Sequence, residues 1–308
     1  MITPAKDIYA SRADRGAAII ARQDPVVYAG GSYAEGTSAE NIAAFDRDGF
    51  LFLENLLSEK ETAVLLAEVE RLAKDPAIRH RDEAIREPGS DLVRSIFKVH
   101  ELSPVLQRLS RDARLANIAR QILGSDVYIH QSRANLKPGF HGKEFYWHSD
   151  FETWHVEDGM PAMRAISCSV LLTDNVAENG PLMVVPGSHR QFISCIGETP
   201  DNHYQESLRK QEYGVPDPVS LQILVEQGGI RSITGKAGSV VFFDCNLMHG
   251  SNGNITPWPR ANVFMVYNSM DNTLEPPKHG LAPRPEFVAT RERFEAIKPL
   301  EPTQLGSR

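Results

Sequence analysis

Phe145-Tyr-Trp-His-Ser-Asp-Phe-Glu-Thr-Trp-His155 sets a histidine and a carboxylate two positions apart among aromatic side chains. In an extended strand, residues i and i+2 project from the same face, so the His148 imidazole and the Asp150 carboxylate can reach one metal ion. Phe145, Tyr146, Trp147 and Phe151 would exclude water around it. The chain carries a second such triplet, His80-Arg-Asp82, inside a charge-rich run. In a helix its two side chains point about 200° apart, so that copy reads as a solvated surface.

A third ligand has to come from elsewhere. Among the histidines after His148, His249 in Met248-His-Gly-Ser-Asn252 follows a buried-looking strand and has Arg260 eleven residues on, across a turn with Gly250, Gly253 and Pro257. His148, Asp150 and His249 would complete the two-histidine, one-carboxylate triad of non-heme Fe(II) oxygenases. Arg260, on the following strand, is the residue type that pairs bidentately with a cosubstrate carboxylate. His189, in Pro186-Gly-Ser-His189, reads as a turn residue, and His130, His141 and His155 as structural or supporting groups.

This stretch lies in a strand-rich half. Val127–Arg133, Ala165–Leu172, Leu182–Val185, Ser239–Phe243 and Asn262–Tyr267 are short and rich in β-branched and aromatic residues, separated by turn signals such as Asn179-Gly180 and Pro186-Gly187. Short strands joined by non-helical connections predict an antiparallel sandwich or jelly roll, not a doubly wound parallel sheet. We therefore expect a mainly β single domain over 1–308 with flanking helices: a mainly helical lead over 1–125, a jelly-roll core over 126–270 and a tail over 271–308. Within the lead, residues 1–40, with an apolar patch at Ala17–Ile20 and Gly30-Gly31, read as loosely structured with one short helix, and Phe50–Leu53 as a buried strand. Ser58-Glu-Lys-Glu61 is a capping box that opens a helix with Leu65, Leu66, Val69, Leu72 and Ala73 on one face. Residues 77–97 read as an exposed charged segment, Ser103-Pro104 and Asp112 as helix starts, and Gly124 as a helix stop. Residues 196–219 read as a polar insertion over the barrel, and Thr290–Ile297 as a final helix; either is placed to serve as a lid.

The composition excludes several classes. With 308 residues, 41% hydrophobic, and 33 Lys and Arg against 40 Asp and Glu, the net charge of -7 argues against broad binding to nucleic acid or an anionic membrane. Cys168, Cys195 and Cys245 are odd in number and lack CxxC spacing, which predicts neither a disulfide framework nor structural zinc, and suits a reducing cytoplasm. The opening Met-Ile-Thr-Pro shows no export signal, and no apolar run approaches the ~18 residues that a membrane helix needs.

His148-Ser-Asp-Phe-Glu-Thr-Trp-His-Val-Glu-Asp-Gly-Met-Pro161, then Arg164-Ala-Ile-Ser-Cys-Ser169, Leu172-Thr-Asp-Asn175, Asn179-Gly-Pro-Leu-Met183 and Pro186-Gly-Ser-His189, resemble the ectoine hydroxylases. These form a group within the phytanoyl-CoA-dioxygenase-like branch of the Fe(II)/2-oxoglutarate oxygenases. The likeness runs from Phe45-Asp-Arg-Asp-Gly-Phe50 to about Asn268. It implies a double-stranded β-helix (jelly roll, cupin-like) and iron held by His148, Asp150 and His249. It implies 2-oxoglutarate contacts from Arg260, Ser251, Asn135 and Arg133, and a substrate pocket using Gln131, Trp154, Phe264 and Ser167. The implied reaction uses Fe(II), 2-oxoglutarate and O2 to convert ectoine to 5-hydroxyectoine with release of succinate and CO2. A carboxylate at Asp150, where related halogenases have a small residue, points to hydroxylation. Ectoine is a cyclic amidine with a carboxylate, so an aromatic face and polar donors suit it. Two alternatives stay open: an oxygenase acting on another small polar metabolite such as a free amino acid, and a jelly-roll protein that binds metal without redox turnover. A homodimer is also left open.

Overall fold

The computed structural model describes residues 7–12, 16–28, 33–87, 89–200, 202–208 and 213–302. The described residues form thirteen strands: β1 Ala18–Ala21, β2 Phe50–Leu53, β3 Ala84–Arg86, β4 Val93–Phe97, β5 Val127–Lys137, β6 Phe145–His148, β7 Ala165–Leu171, β8 Leu182–Val184, β9 Gln191–Ser194, β10 Arg231–Ile233, β11 Val240–Asp244, β12 His249–Ser251 and β13 Arg260–Ser269. All ladders between them are antiparallel. A seven-stranded sheet in the order β2-β11-β7-β13-β5-β4-β3 and a four-stranded sheet in the order β10-β8-β12-β6 form the jelly roll, with β1 and β9 as a separate pair. The expected fold class is present.

The longer helices of the lead cover one face of the large sheet. The Glu59–Lys74 helix opens on the expected capping box, with Ser58 accepting from the Glu61 amide and the Glu61 carboxylate accepting from the Ser58 amide. The Ala113–Leu123 helix starts on an Asp112 cap and stops at Gly124, whose φ of 62° is the left-handed conformation that ends a helix. Leu65, Val69, Leu115, Ala119 and Ile122 from these two helices share one apolar core with Ile129, Val170, Phe242 and Met265 of the sheet.

Four expectations need correction. The strand expected at Phe50–Leu53 is present as β2, but it pairs with β11, and β4 pairs with β5, so the large sheet crosses the division expected near residue 125. The charged 77–97 segment contains β4, which is buried along its whole length because Arg94 neutralises Glu87 at 3.0 Å. Near Ala17–Ile20 there is a strand, β1, instead of a helix, since β9 offers it a ladder. Thr290–Ile297 is not helical; its amides bond outward, Thr290 to the His130 carbonyl and Ile297 to the Val127 carbonyl, as an extended strap. Gly30-Gly31 lies outside the described residues. The insertion does approach the barrel, since Leu208 lines a cavity there together with His148 and His249.

Candidate metal centre and cosubstrate pocket

The two histidines arrive by register. His148 ends β6, and its cross-strand partner on β12 is His249, with ring centroids 4.2 Å apart. Asp150 arrives differently from the strand geometry expected for it. The strand stops at His148, Ser149 is still extended, and Asp150 begins a helical turn, Asp150–Thr153. This junction is held from below: Ser149 Oγ donates to Asn246 Oδ1 at 2.9 Å, and the Phe151 amide donates to the Cys245 carbonyl at 2.8 Å. Ser167 on β7 donates to Asp150 Oδ2 at 3.2 Å, leaving Oδ1 3.7 Å from His148 Nε2 and 4.0 Å from His249 Nε2.

The donor set fits a divalent metal. One ligand atom from each of His148, Asp150 and His249 lies within 4.8 Å of the others, and all three residues are buried. His148 Nδ1 lies 2.7 Å from the Tyr146 carbonyl and His249 Nδ1 lies 2.9 Å from the Leu247 carbonyl. A carbonyl only accepts, so each Nδ1 carries the proton and each Nε2 presents a lone pair. Burial, with His249 alongside, pushes His148 down to about 3, so its imidazole is neutral. At Asp150, burial opposes ionisation, but His249, His148 and Arg133 outweigh it and hold the carboxyl below its usual range. Two imidazoles and one carboxylate match the facial set of non-heme iron.

A cavity opens beside this centre, between the two sheets. Arg133, Asn135, His148, His249, Ser251, Arg260 and Phe264 all line it, as do Lys137 and Arg94. Arg260 is buried, its Nε has no hydrogen-bond partner, and burial next to Arg94 pushes its guanidinium down to about 10. Arg133 lies over the Phe264 ring at 4.9 Å. Asn135 accepts from Ser95 at 2.8 Å, and Ser251 accepts from Lys137 at 2.9 Å.

Gln131, Trp154 and Ser167 do not line this cavity; Ser167 and the Trp154 amide bond to Asp150 instead. Ser167 and Gln131 are both register partners of Val266, so they share a face of the sheet. Gln131 Nε2 donates to the Val288 carbonyl of the tail at 2.7 Å. Trp154 packs with Phe151 and Val266 and meets the edge of His130 at 4.9 Å. His130 occupies the irregularity where β5 slips by one residue against β13, a place where a bulge re-aims a side chain.

The phytanoyl-CoA dioxygenase (PhyH) family model matches residues 45–262. The chain belongs to the phytanoyl-CoA dioxygenase family. Within it, the Ectoine dioxygenase of Bordetella bronchiseptica (strain ATCC BAA-588 / NCTC 13252 / RB50) is 73% identical over 308 residues, covering 100% of both chains. The Ectoine dioxygenase of Sphingopyxis alaskensis is 56% identical over 293 residues, 95% of this chain and 96% of that one. The crystal structure of EctD from S. alaskensis with bound Fe superposes with a TM-score of 0.87 at 50% identity, covering 97% of this chain and 100% of that chain. The EctD structure with 2-oxoglutarate and 5-hydroxyectoine gives the same TM-score at 51% identity and the same coverage. The carbocyclase SnoK, at 21% identity and a TM-score of 0.62, shares the fold over 81% of this chain and 92% of its own.

Reading the sequence missed two features. Lys137 lies within β5, which the sequence reading ended at Arg133, so a buried lysine facing the cavity went unseen. The alternation Gln131, Arg133, Asn135, Lys137 along one strand face was the signal that could have found it. The buried cluster of Arg12, Glu152, Glu157, Asp158 and Arg284 joins segments too distant in sequence for any spacing rule to reveal.

Proposed function

We propose that this chain is an Fe(II)- and 2-oxoglutarate-dependent dioxygenase that hydroxylates ectoine to 5-hydroxyectoine, with release of succinate and CO2. The observation that carries this reading is the His148–Asp150–His249 set with paired Nε2 lone pairs, opening onto a cavity lined by Arg260. The 73% identity to a relative named Ectoine dioxygenase narrows the substrate. When bound, the iron supplies O2 activation coupled to decarboxylation of 2-oxoglutarate.

The chain's own residues bind, orient and exclude water. His148, Asp150 and His249 hold the iron, and Ser167 keeps Asp150 Oδ1 turned toward it. Arg260, with no carboxylate partner among the described residues, takes the far carboxylate of 2-oxoglutarate. Ser251, Asn135 and Lys137 border the same anion, with Arg133 between it and the substrate. On the substrate side, Trp154 and Phe264 offer aromatic faces to the delocalised cation. Gln131 has its amide N–H committed to Val288, so it turns its carbonyl oxygen toward the N–H groups of the amidine. Phe145, Leu182 and Leu208 keep the cavity apolar around these groups. The lead, core and tail act as one domain, with the tail as a wall of the substrate side. The cytoplasm is the location kept for it; no helix among the described residues is long and apolar enough to cross a membrane. A homodimer stays open.

Incubation of the protein with ectoine, Fe(II), 2-oxoglutarate and O2 tests the reading by mass spectrometry. The product should gain one oxygen, matched by an equal amount of succinate. Succinate formed without hydroxyectoine would transfer the substrate to another small metabolite. Absence of a visible charge-transfer band on anaerobic addition of 2-oxoglutarate to the iron-loaded protein would remove the oxygenase assignment.

A further inference from the structure

Three cations, Arg94, Lys137 and Arg260, border the cosubstrate end of the cavity. Arg94 has a carboxylate partner, Glu87 at 3.0 Å. Among the described residues neither Lys137 nor Arg260 has one within ion-pair distance. Lys137 Nζ instead meets two neutral acceptors, the Ser251 hydroxyl at 2.9 Å and the Asn252 carbonyl. A neutral amine has two N–H groups, and these two contacts use both; an ammonium has a third.

The charged groups that face Nζ are Arg260 on β13, Arg94 on β4, Glu87 between β3 and β4, and Glu144 just before β6. The two guanidiniums keep their protons at any physiological pH. Lysine is therefore the member of the cluster that can shed charge. Burial above all, then Arg260 and Arg94, push its ammonium down to about 6.

We propose that 2-oxoglutarate enters this pocket together with a proton, which Lys137 Nζ takes from solvent as the dianion arrives. This rests on the cavity being the cosubstrate site. No covalent bond other than the new N–H forms, and nothing is oxidised. In the free protein near neutral pH the amine donates to Ser251 and Asn252. The incoming carboxylate against Arg260 supplies the missing negative charge, raises the lysine's proton affinity, and gives the third N–H an acceptor. The linkage has a definite sign. Between the free and bound values, binding consumes a proton and affinity falls as pH rises. Well below the free value the lysine is already charged, and uptake disappears.

Isothermal titration of the Fe(II)-loaded protein with 2-oxoglutarate, without O2 and in buffers of differing ionisation heat, tests this at about pH 7.5. The slope of binding heat against buffer heat should correspond to about one proton taken up, and should fall toward zero at about pH 5. Lys137→Arg keeps a permanent cation, so it should bind 2-oxoglutarate with no uptake. Lys137→Met should bind more weakly, also with no uptake. A zero slope in the wild-type protein, or an undiminished slope in Lys137→Arg, would overturn the proposal and leave the cosubstrate site standing. No binding to the wild-type protein would overturn the site itself.

Discussion

Arg284 and Arg260 are both buried guanidiniums, 7% and 6% exposed, with different surroundings. Arg284 makes a bidentate pair with Asp158 at 2.7 and 2.5 Å, inside a cluster where Arg12 pairs with Glu152 and Glu157. Arg260 faces Arg94 and an open cavity, with its Nε unpartnered. A buried charge is tolerated only when it is compensated. The first region is compensated within the fold and so acts as a clamp. It ties the N-terminal segment at Arg12 and the tail at Arg284 and Arg291 to the helical turn that carries Asp150. The second is left short of negative charge, which the 2-oxoglutarate carboxylate proposed for it would supply.

The largest effect expected lies between these regions. His148→Ala, Asp150→Ala or His249→Ala should reduce hydroxylation to background while near- and far-UV circular dichroism stay native, because each removes a metal ligand without touching the clamp. Activity close to wild type in any of the three would dissolve the centre.

The comparison itself breaks if the two arginines respond alike. Arg284→Met strands the Asp158 carboxylate in the interior, and losing one partner of a buried pair costs about 3–5 kcal/mol, readable by urea unfolding. Arg260→Met removes a buried cation that lacks a partner, so unfolding should shift little or toward greater stability. Its cost appears in the Kd of 2-oxoglutarate, which should rise about 10- to 100-fold for a lost charge-assisted pair. A change confined to ectoine dependence would mean that the two pockets had been exchanged. The clamp also has a pH signature. Burial opposes ionisation of Asp158, but Arg284 outweighs it and holds the carboxyl below its usual range. Its stabilisation is therefore present above the unfolded value, about pH 4, and is lost on acidification below that.

The receptive region was far more legible in the sequence than the clamp. His148, His249, Arg260, Arg133, Asn135 and Phe264 stand in or beside strands whose period of two assigns a face from local pattern alone. Asp150 was placed with its partners although the strand ends before it. The positions i and i+2 converge across the Ser149 junction because Ser167 and the Cys245 carbonyl hold the turn. The clamp was invisible because its members are charged residues that read as surface until distant partners bury them. Arg12, Glu152 and Arg284 meet only after the jelly roll has closed. The tail was misread for a related reason. Thr290–Ile297 has helical composition, but its amides find carbonyls on β5 as an extended strap, and tertiary hydrogen bonds override weak local propensity.

The smallest effect expected concerns the other His-x-Asp. His80 caps the short Pro76–Arg79 helical turn, and both His80 and Asp82 are exposed. The triplet therefore has the same residue types as the metal centre with neither the burial nor a third ligand opposite. Burial with converging lone pairs distinguishes a site from a motif here, so His80→Ala with Asp82→Ala should leave iron content, turnover and 2-oxoglutarate affinity at wild-type values. Surface substitutions of this kind change stability by less than about 0.5 kcal/mol. Loss of iron on metal analysis of that double variant would show that the motif alone can bind, and the contrast between balanced and receptive charge would no longer account for where the metal sits.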